Sequence, residues 1–308
     1  MEYDVIVIGA GPAGVSAALY AKRANLNVLV LYYGESQLEK AHKIDNYYGF
    51  PGGIAGADLY AAGIEQAKTM GVDVAEREVT HLELTAPAPK TQYRVVAGGT
   101  EYTASALILA TGNKRLRPAV PGIVEFEGKG VSYCALCDGF FYRQKNVVVI
   151  GNGSFAVSEA NDLVHIAAKV TVLTDGTDDG ELQKALAAAP DLAQKLTVDV
   201  RKLARIRGKD DTGTKVGAVE FADGGMLETD GVFVALGSAG AVDFAKKLGL
   251  ALNGDSIAVN EHMVTNAPGV FSCGNANGGL LQVCKAVHEG GIAGLAAVEY
   301  VRGLQKAQ

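Results

Sequence analysis

The sequence predicts an α/β protein of two nested, Rossmann-like dinucleotide-binding domains, the second inserted in the first. Three observations carry that prediction. A glycine-rich βα turn occupies residues 4–14, and the same design recurs 142 residues later. The composition also suits tight βα turns, with 39 glycines, 7% aromatic residues and no tryptophan. At 308 residues the chain can bury two domain cores.

The first turn reads Asp4-Val5-Ile6-Val7-Ile8-Gly9-Ala10-Gly11-Pro12-Ala13-Gly14. Its unbroken apolar run is the pattern of a strand buried on both faces of a parallel sheet. Gly9 permits the tight turn, Gly11 lets a pyrophosphate approach the backbone, and Gly14 lets helix pack on strand. The helix that follows, to about Ala24, offers its N-terminal amides and positive dipole end to the phosphates. The next strand, residues 27–32, ends just before Glu35, an acid close to the distance expected for a ribose hydroxyl. A lone GxGxxG says little. Strand, helix, second strand and acid together are specific.

The second turn is Val147-Val148-Val149-Ile150-Gly151-Asn152-Gly153-Ser154-Phe155-Ala156. Gly9, Gly11 and Gly14 fall on Gly151, Gly153 and Ala156, and Val28-Leu29-Val30-Leu31 falls on Val170-Thr171-Val172-Leu173. A second nucleotide-like site is therefore expected at Gly151, Gly153, Ser154, Phe155 and Ala156. Leu107-Ile108-Leu109-Ala110-Thr111-Gly112 and Phe233-Val234-Ala235-Leu236-Gly237 read as the closing strand of each domain. The segment from about Ala241, with a long helix from about Leu281, is expected to return to the first domain. The expected boundaries are 1–116, 117–240 and 241–308.

A net charge of −6 argues against nucleic acid and anionic membranes as partners. The basic run Lys114-Arg115-Leu116-Arg117 interrupts this acidity. It reads as a solvated linker, or else as a dock for an acidic partner protein. The N-terminal apolar run is no targeting segment, because Glu2, Asp4 and the glycines from Gly9 onward break it.

Just upstream of the second turn stands Cys134-Ala135-Leu136-Cys137, followed by Asp138; thirteen residues lie between Cys137 and Gly151. A CxxC alone fits a zinc half-site, two core cysteines or a redox dithiol. Its place beside a dinucleotide turn favours the dithiol. Zinc lacks ligands: Cys273 and Cys284 form no second CxxC, and no His pair stands at finger spacing. Those two cysteines read as small buried apolar residues. Four cysteines with no signal peptide point to a reducing compartment, the cytoplasm, where a CxxC cycles rather than staples.

Over nearly its full length the chain resembles the low-molecular-weight thioredoxin reductases. The matching residues are Gly9-Ala10-Gly11-Pro12-Ala13-Gly14, Asn46, Ala110-Thr111-Gly112, Cys134-Ala135-Leu136-Cys137-Asp138-Gly139-Phe140-Phe141 and Gly274-Asn275. The resemblance implies a three-layer FAD/NAD(P)-binding fold and a homodimer. FAD would sit in the first domain on Gly9, Gly11, Pro12, Ala13 and Gly14. Glu35, Asn46 and Val79, then Ala110, Thr111 and Gly112, and finally Gly274, Asn275, Gln282 and Val283 would complete its site. The inserted domain would carry the dithiol and rotate to face either the flavin or the protein substrate, a thioredoxin or thioredoxin-like disulfide. Cys137 would accept electrons from the flavin, Cys134 would attack the substrate, and Asp138 would serve as acid/base. Such exchange needs one accessible low-pKa thiolate with a resolving thiol beside it. Asp138 has a plainer alternative as a helix cap or turn residue.

The chain departs from that family where NADPH would bind. The NADPH-dependent members carry a His-Arg-Arg run after the second strand, whereas this chain reads Leu173-Thr174-Asp175-Gly176-Thr177-Asp178-Asp179-Gly180-Glu181, with no Arg between Arg143 and Arg201. Four carboxylates stand where a dianionic phosphate would bind, and no guanidinium fork replaces the lost ones. NADPH is therefore disfavoured. Asp175, nineteen residues after Ala156, would suit a ribose 2′-hydroxyl and so NADH; the alternative is a solvated acidic loop and a vestigial site. The family's Tyr-Arg before Gln282 is Leu280-Leu281 here, and its ribityl-binding Asp is Asn275, which still accepts a hydrogen bond. The run from Gly278 to Val287 resembles the pyridine-nucleotide-independent branch, which includes ferredoxin-dependent flavin thioredoxin reductases and relatives with a second flavin. The expected function is an FAD-dependent disulfide reductase of thioredoxin-reductase type fed by reduced ferredoxin or a flavin. An NADH-dependent thioredoxin reductase is the nearest alternative, and a non-catalytic flavin-bound redox sensor is one of another class.

Overall fold

The computed structural model describes residues 1–87, 91–112, 117–133, 135–209, 214–236, 240–254 and 256–306. It divides into two compact units, 1–114 with 240–308, and 115–239. The cuts follow residues 114 and 239, against 116 and 240 expected.

Unit 1 opens with β1 (Glu2–Ile8), α1 (Pro12–Arg23), β2 (Val28–Tyr32), α2 (Gly56–Thr69), β3 (Asp73–Glu76), β4 (Val79–Ala86), β5 (Gln92–Ala97) and β6 (Thr100–Leu109). The sheet order is β3-β2-β1-β6-β5-β4. The four strands from β3 to β6 pair in parallel, with Val5 opposite both Val28 and Ala106. Val5, Ile6 and Val7 are fully buried, which is why that stretch is apolar without a break. Strands β4 and β5 pair antiparallel and β5 alternates buried with half-buried residues, the period-2 signature of a one-sided sheet.

Unit 2 contains β7 (Val131–Ser132), α3 (Ala135–Asp138), β8 (Asn146–Ile150), α4 (Ser154–Leu163), β9 (Lys169–Leu173), α5 (Gly180–Ala187), α6 (Pro190–Ala193), β10 (Leu196–Asp199), β11 (Leu203–Gly208), β12 (Val216–Phe221), β13 (Met226–Glu228) and β14 (Gly231–Val234). Its parallel sheet runs β10-β9-β8-β14-β7, and β11-β12-β13 form a separate antiparallel sheet. One core spans both, from Val148, Ile150, Leu173 and Val232 to Ile206, Val219 and Phe221.

The chain then returns to unit 1 with α7 (Ala241–Lys247), β15 (Leu252–Asn253), β16 (Ser256–Ile257), β17 (Val270–Ser272) and α8 (Val283–Lys306). Strand β17 pairs in parallel with β6, Val270 opposite Leu107. Each strand read as closing its domain, β6 and β14, has a further parallel neighbour, β17 on β6 and β7 on β14. Helix α8 lies on α1 at near backbone contact. A Cβ on Gly290 would stand 2.2 Å from the Ala13 carbonyl oxygen, and one on Gly294 2.5 Å from that of Ala17. Among the described residues no helix is long and apolar enough to cross a membrane.

Candidate active site

The three glycines of the first turn have three separate reasons to be glycine. Gly9 has φ +112°, and a Cβ there would lie 2.3 Å from the Ala110 carbonyl oxygen, where β1 and β6 end side by side. A Cβ on Gly14 would lie 1.8 Å from the Gly9 carbonyl oxygen, so this position sets how closely α1 sits on β1. At Gly11 nothing lies within 4 Å of a Cβ. Its face is open, as a site for a ligand requires. Gly11 is also the N-cap of α1, with no side-chain cap, and Pro12 occupies the first turn. The first amides of α1 are thus left for an anion.

Thr111 continues from β6 into this turn, and its buried Oγ1 has no hydrogen-bond partner among the described residues. Gly112, at φ +74°, has open space around it. Gly274 reaches the same place from the far side: at φ +73° a Cβ there would stand 2.7 Å from the Ala13 Cβ. The open Gly11 backbone, the uncapped helix and the orphaned Thr111 hydroxyl fit a bound dinucleotide such as FAD. Gly9, Gly11, Pro12, Ala13, Gly14, Ala110, Thr111 and Gly274 are therefore brought together. Asn46 Nδ2 donates to Gln282 Oε1 at 3.0 Å, just before Val283 opens α8. Val79 begins β4, close to where Arg77 N–H bonds the Tyr32 carbonyl at the end of β2 at 2.7 Å. Glu35 lies exposed in the loop after β2.

Sequence reasoning missed a clamp on the loop that carries Asn275. Lys285 Nζ donates to the Gly274 carbonyl at 2.9 Å and pairs with Glu289 Oε2 at 3.1 Å; the same oxygen accepts the Gly274 N–H at 2.8 Å. The i,i+4 spacing of a Lys and a Glu was its only sequence signal. Cys273, beside this pair, is fully buried, and burial pushes its thiol up, with Glu289 adding to the shift and Lys285 opposing it. Cys284 is exposed, which corrects the expectation that both spare cysteines are buried; it lies on an outer face of α8.

The second turn keeps its phosphate cradle. A Cβ on Gly151 would meet the Ala235 carbonyl oxygen at 2.2 Å and the Ala156 Cβ at 2.8 Å, whereas Gly153 is open. Gly153 caps α4 without a side-chain bond, and Ser154 and Phe155 begin the helix. The mouth differs. Asp175, at φ +55°, accepts the Leu203 N–H on Oδ1 at 2.9 Å, and its Oδ2 pairs with Lys202 Nζ at 3.1 Å. Both oxygens of the residue expected to meet a ribose are thus engaged within the fold. Asp178 accepts the Gly180 N–H at 3.1 Å, Asp179 accepts from Gln183 at 3.0 Å, and Glu181 pairs with Lys184 at 2.6 Å. These acids organise the start of α5. Asn152 Nδ2 donates to the Asp178 carbonyl at 3.3 Å, tying the two loops that flank the cradle. Arg201, the first arginine after the gap, is committed elsewhere: it pairs with Asp199 at 2.7 Å and lies 3.7 Å over the Phe221 ring.

Cys134 lies outside the described residues, as do Lys114, Arg115 and Leu116 of the basic run. Cys137 falls in α3. Asp138 ends that helix, makes no capping bond to the 3-10 turn that follows, and accepts from Ser132 Oγ at 2.6 Å. Phe140 and Phe141 are 67% and 69% exposed, and the Arg143 guanidinium stands 5.4 Å from the centre of the Phe140 ring. Arg117, the described member of the basic run, pairs with Glu127 at 3.1 Å.

Two dinucleotide turns with a CxxC segment between them define a flavoprotein disulfide reductase. A family model described as pyridine nucleotide-disulphide oxidoreductase matches residues 3–290. The thioredoxin reductase of Bacillus subtilis is 35% identical over 313 residues, covering 99% of this chain and 96% of its own length. That of Listeria innocua is 35% identical over 311 residues, with the same coverage. Among solved structures, the atypical thioredoxin reductase TRi from Desulfovibrio vulgaris Hildenborough superposes with a TM-score of 0.88 at 36% identity, covering 97% of this chain and 98% of that one. A ferredoxin-flavin thioredoxin reductase from Clostridium acetobutylicum gives 0.68 at 32% identity, covering 97% of each chain. The chain belongs to the low-molecular-weight thioredoxin reductase family and is a disulfide oxidoreductase of that type.

Proposed function

We propose that this enzyme reduces the disulfide of a thioredoxin or thioredoxin-like protein with electrons from a donor other than NADPH, with reduced ferredoxin or a low-potential flavin favoured. The observation that carries this reading is the second turn. It retains the open Gly153 cradle, yet the loop beyond β9 holds Asp178, Asp179 and Glu181 and no arginine for a 2′-phosphate, and the nearby Lys202 is held on Asp175. Several charge-assisted bonds, each worth about 1.5–3 kcal/mol, are missing for NADPH. The likeness to a ferredoxin-flavin thioredoxin reductase supports ferredoxin as the donor class. NADH is the second reading, favoured by the open cradle and weakened by the engagement of Asp175. A second flavin on that cradle is compatible with the same geometry.

FAD, when bound on the first turn, supplies the electron pair. The Cys134–Cys137 disulfide takes up two electrons and two protons and becomes a dithiol. Cys134, as the thiolate, attacks one sulfur of the substrate disulfide. Asp138 takes the Cys134 proton as the thiolate forms; the substrate S–S bond breaks, a Cys134–substrate disulfide forms, and Asp138 returns that proton to the departing sulfur. Cys137 then attacks the Cys134 sulfur, which restores the internal disulfide and releases the second substrate thiol. Two electrons have passed to the substrate. The exposed Phe140 and Phe141, three and four residues along the chain from Cys137, give a protein substrate an apolar surface.

Cys134→Ser and Cys137→Ser should each abolish thioredoxin reduction and leave a folded, yellow protein, because neither touches Gly9, Gly11 or Gly14. Near wild-type turnover in either variant would refute the assignment. Steady turnover of thioredoxin disulfide by the unmodified protein also separates an enzyme from a redox sensor.

A further inference from the structure

Lys285 is a cation that the reaction above does not use and that its own helix does not favour. It stands in the first turn of α8, where the positive end of the helix dipole opposes it. It also precedes Glu289 in the i,i+4 pair, the weaker of the two orders. The two side chains are only 15% and 13% exposed, so the pair carries a desolvation cost as well. Its reason lies outside the helix. An ammonium has three N–H donors. Those of Lys285 meet the Gly274 carbonyl at 2.9 Å, Glu289 Oε2 at 3.1 Å and the Gly278 carbonyl. Glu289 Oε2 also accepts the Gly274 N–H at 2.8 Å. The pair thus grips both ends of the loop 274–278, and Asn277 Nδ2 anchors its middle on the Ser272 carbonyl at 2.8 Å. Gly278 and Gly279 take φ of +70° and +71°, and consecutive glycines lose much conformational freedom when held in one shape. Asn275, a candidate flavin residue, lies inside this loop, and the Asn46–Gln282 bond follows it.

We infer that Lys285, together with Glu289, is a positioning residue for the flavin: it holds the loop that carries Asn275 in its binding shape without itself being a ligand. Every bond that shapes the loop is made within the protein, and all three donors of Lys285 are engaged there. FAD therefore meets a formed site. Its affinity is not lowered by a fraction of molecules in which the loop is unformed. The inference rests on the FAD reading of the first turn.

The test uses the full chain as wild type, Lys285→Met and the double variant Lys285→Met/Glu289→Gln. The double variant leaves neither member of the pair as a lone buried charge. Flavin is removed, and the rebinding of FAD is followed by stopped-flow fluorescence. The account expects both variants to bind FAD about tenfold more weakly through slower association, with dissociation within about twofold of wild type, as for a site formed in about a tenth of molecules. Hydrogen exchange should quicken across residues 272–282 of the flavin-free variants and stay unchanged in β1 and β6. Wild-type affinity in the folded double variant overturns the inference. So does a loss confined to faster dissociation, which would make Lys285 a direct flavin contact. Circular dichroism and a thermal melt check folding; if neither variant folds, the pair is merely structural and the inference falls. A wild-type protein that takes up no FAD would instead refute the flavin reading.

Discussion

The first nucleotide turn shows how three identical residues divide the work. Gly11 faces open space, so a larger residue there should leave the fold intact and block the phosphate. Gly14 has no such freedom, because its Cβ would collide with the Gly9 carbonyl at 1.8 Å. Gly11→Val should purify folded and largely colourless. Gly14→Val should lose at least about 3 kcal/mol, through overpacking, or fail to fold. Flavin absorbance per protein, with a thermal melt, separates the two, and a yellow Gly11→Val would remove the open face from the account. The spare cysteines divide as clearly. Iodoacetamide should label Cys284 in the native oxidised protein and spare Cys273, which is buried and whose thiol is pushed up by that burial. Peptide mapping before and after denaturation reads both sites, and labelling of native Cys273 would contradict its placement.

The contact between α1 and α8 links packing to the cofactor, since Ala13 belongs to both the helix pair and the phosphate turn. Gly290→Ala would press a methyl to 2.2 Å from the Ala13 carbonyl oxygen. It should cost about 1–3 kcal/mol and weaken flavin retention. Gly303→Ala, later in the same helix and with nothing within 4 Å, should be neutral or gain up to about 1 kcal/mol from helix propensity. Urea unfolding of the two variants makes the comparison; equal effects would mean that the helices do not meet as described. The elements legible in the sequence were those with a strong signal: the largely apolar strands β1, β2, β6, β8, β9 and β14, the glycine-started helices α1 and α4, and the long helix α8. The β4–β5 meander, β11 to β13 and the two-residue strands were not legible, because short alternating stretches resemble loops until a partner strand fixes them. The site followed the same rule. Glycines and cysteines announce themselves by spacing, whereas Lys285 and Glu289 meet Gly274 across 11 and 15 positions and become meaningful only in three dimensions.

The whole molecule pairs a first turn that fits FAD with a second that has kept its cradle and surrounded it with acid. Arg201, on Asp199 and Phe221, and Arg117, on Glu127, have structural employment, so unit 2 offers neither as a grip for a 2′-phosphate. The net charge of −6 adds an unfavourable field for anionic nucleotides, weakest at high salt. Electrons should therefore enter without NADPH. The direct measurement is anaerobic stopped-flow absorbance of the flavin band, with NADPH, NADH and reduced ferredoxin mixed separately. The account expects rapid bleaching by reduced ferredoxin, poor or moderate bleaching by NADH and negligible bleaching by NADPH at physiological concentrations. Rapid bleaching by micromolar NADPH would contradict it.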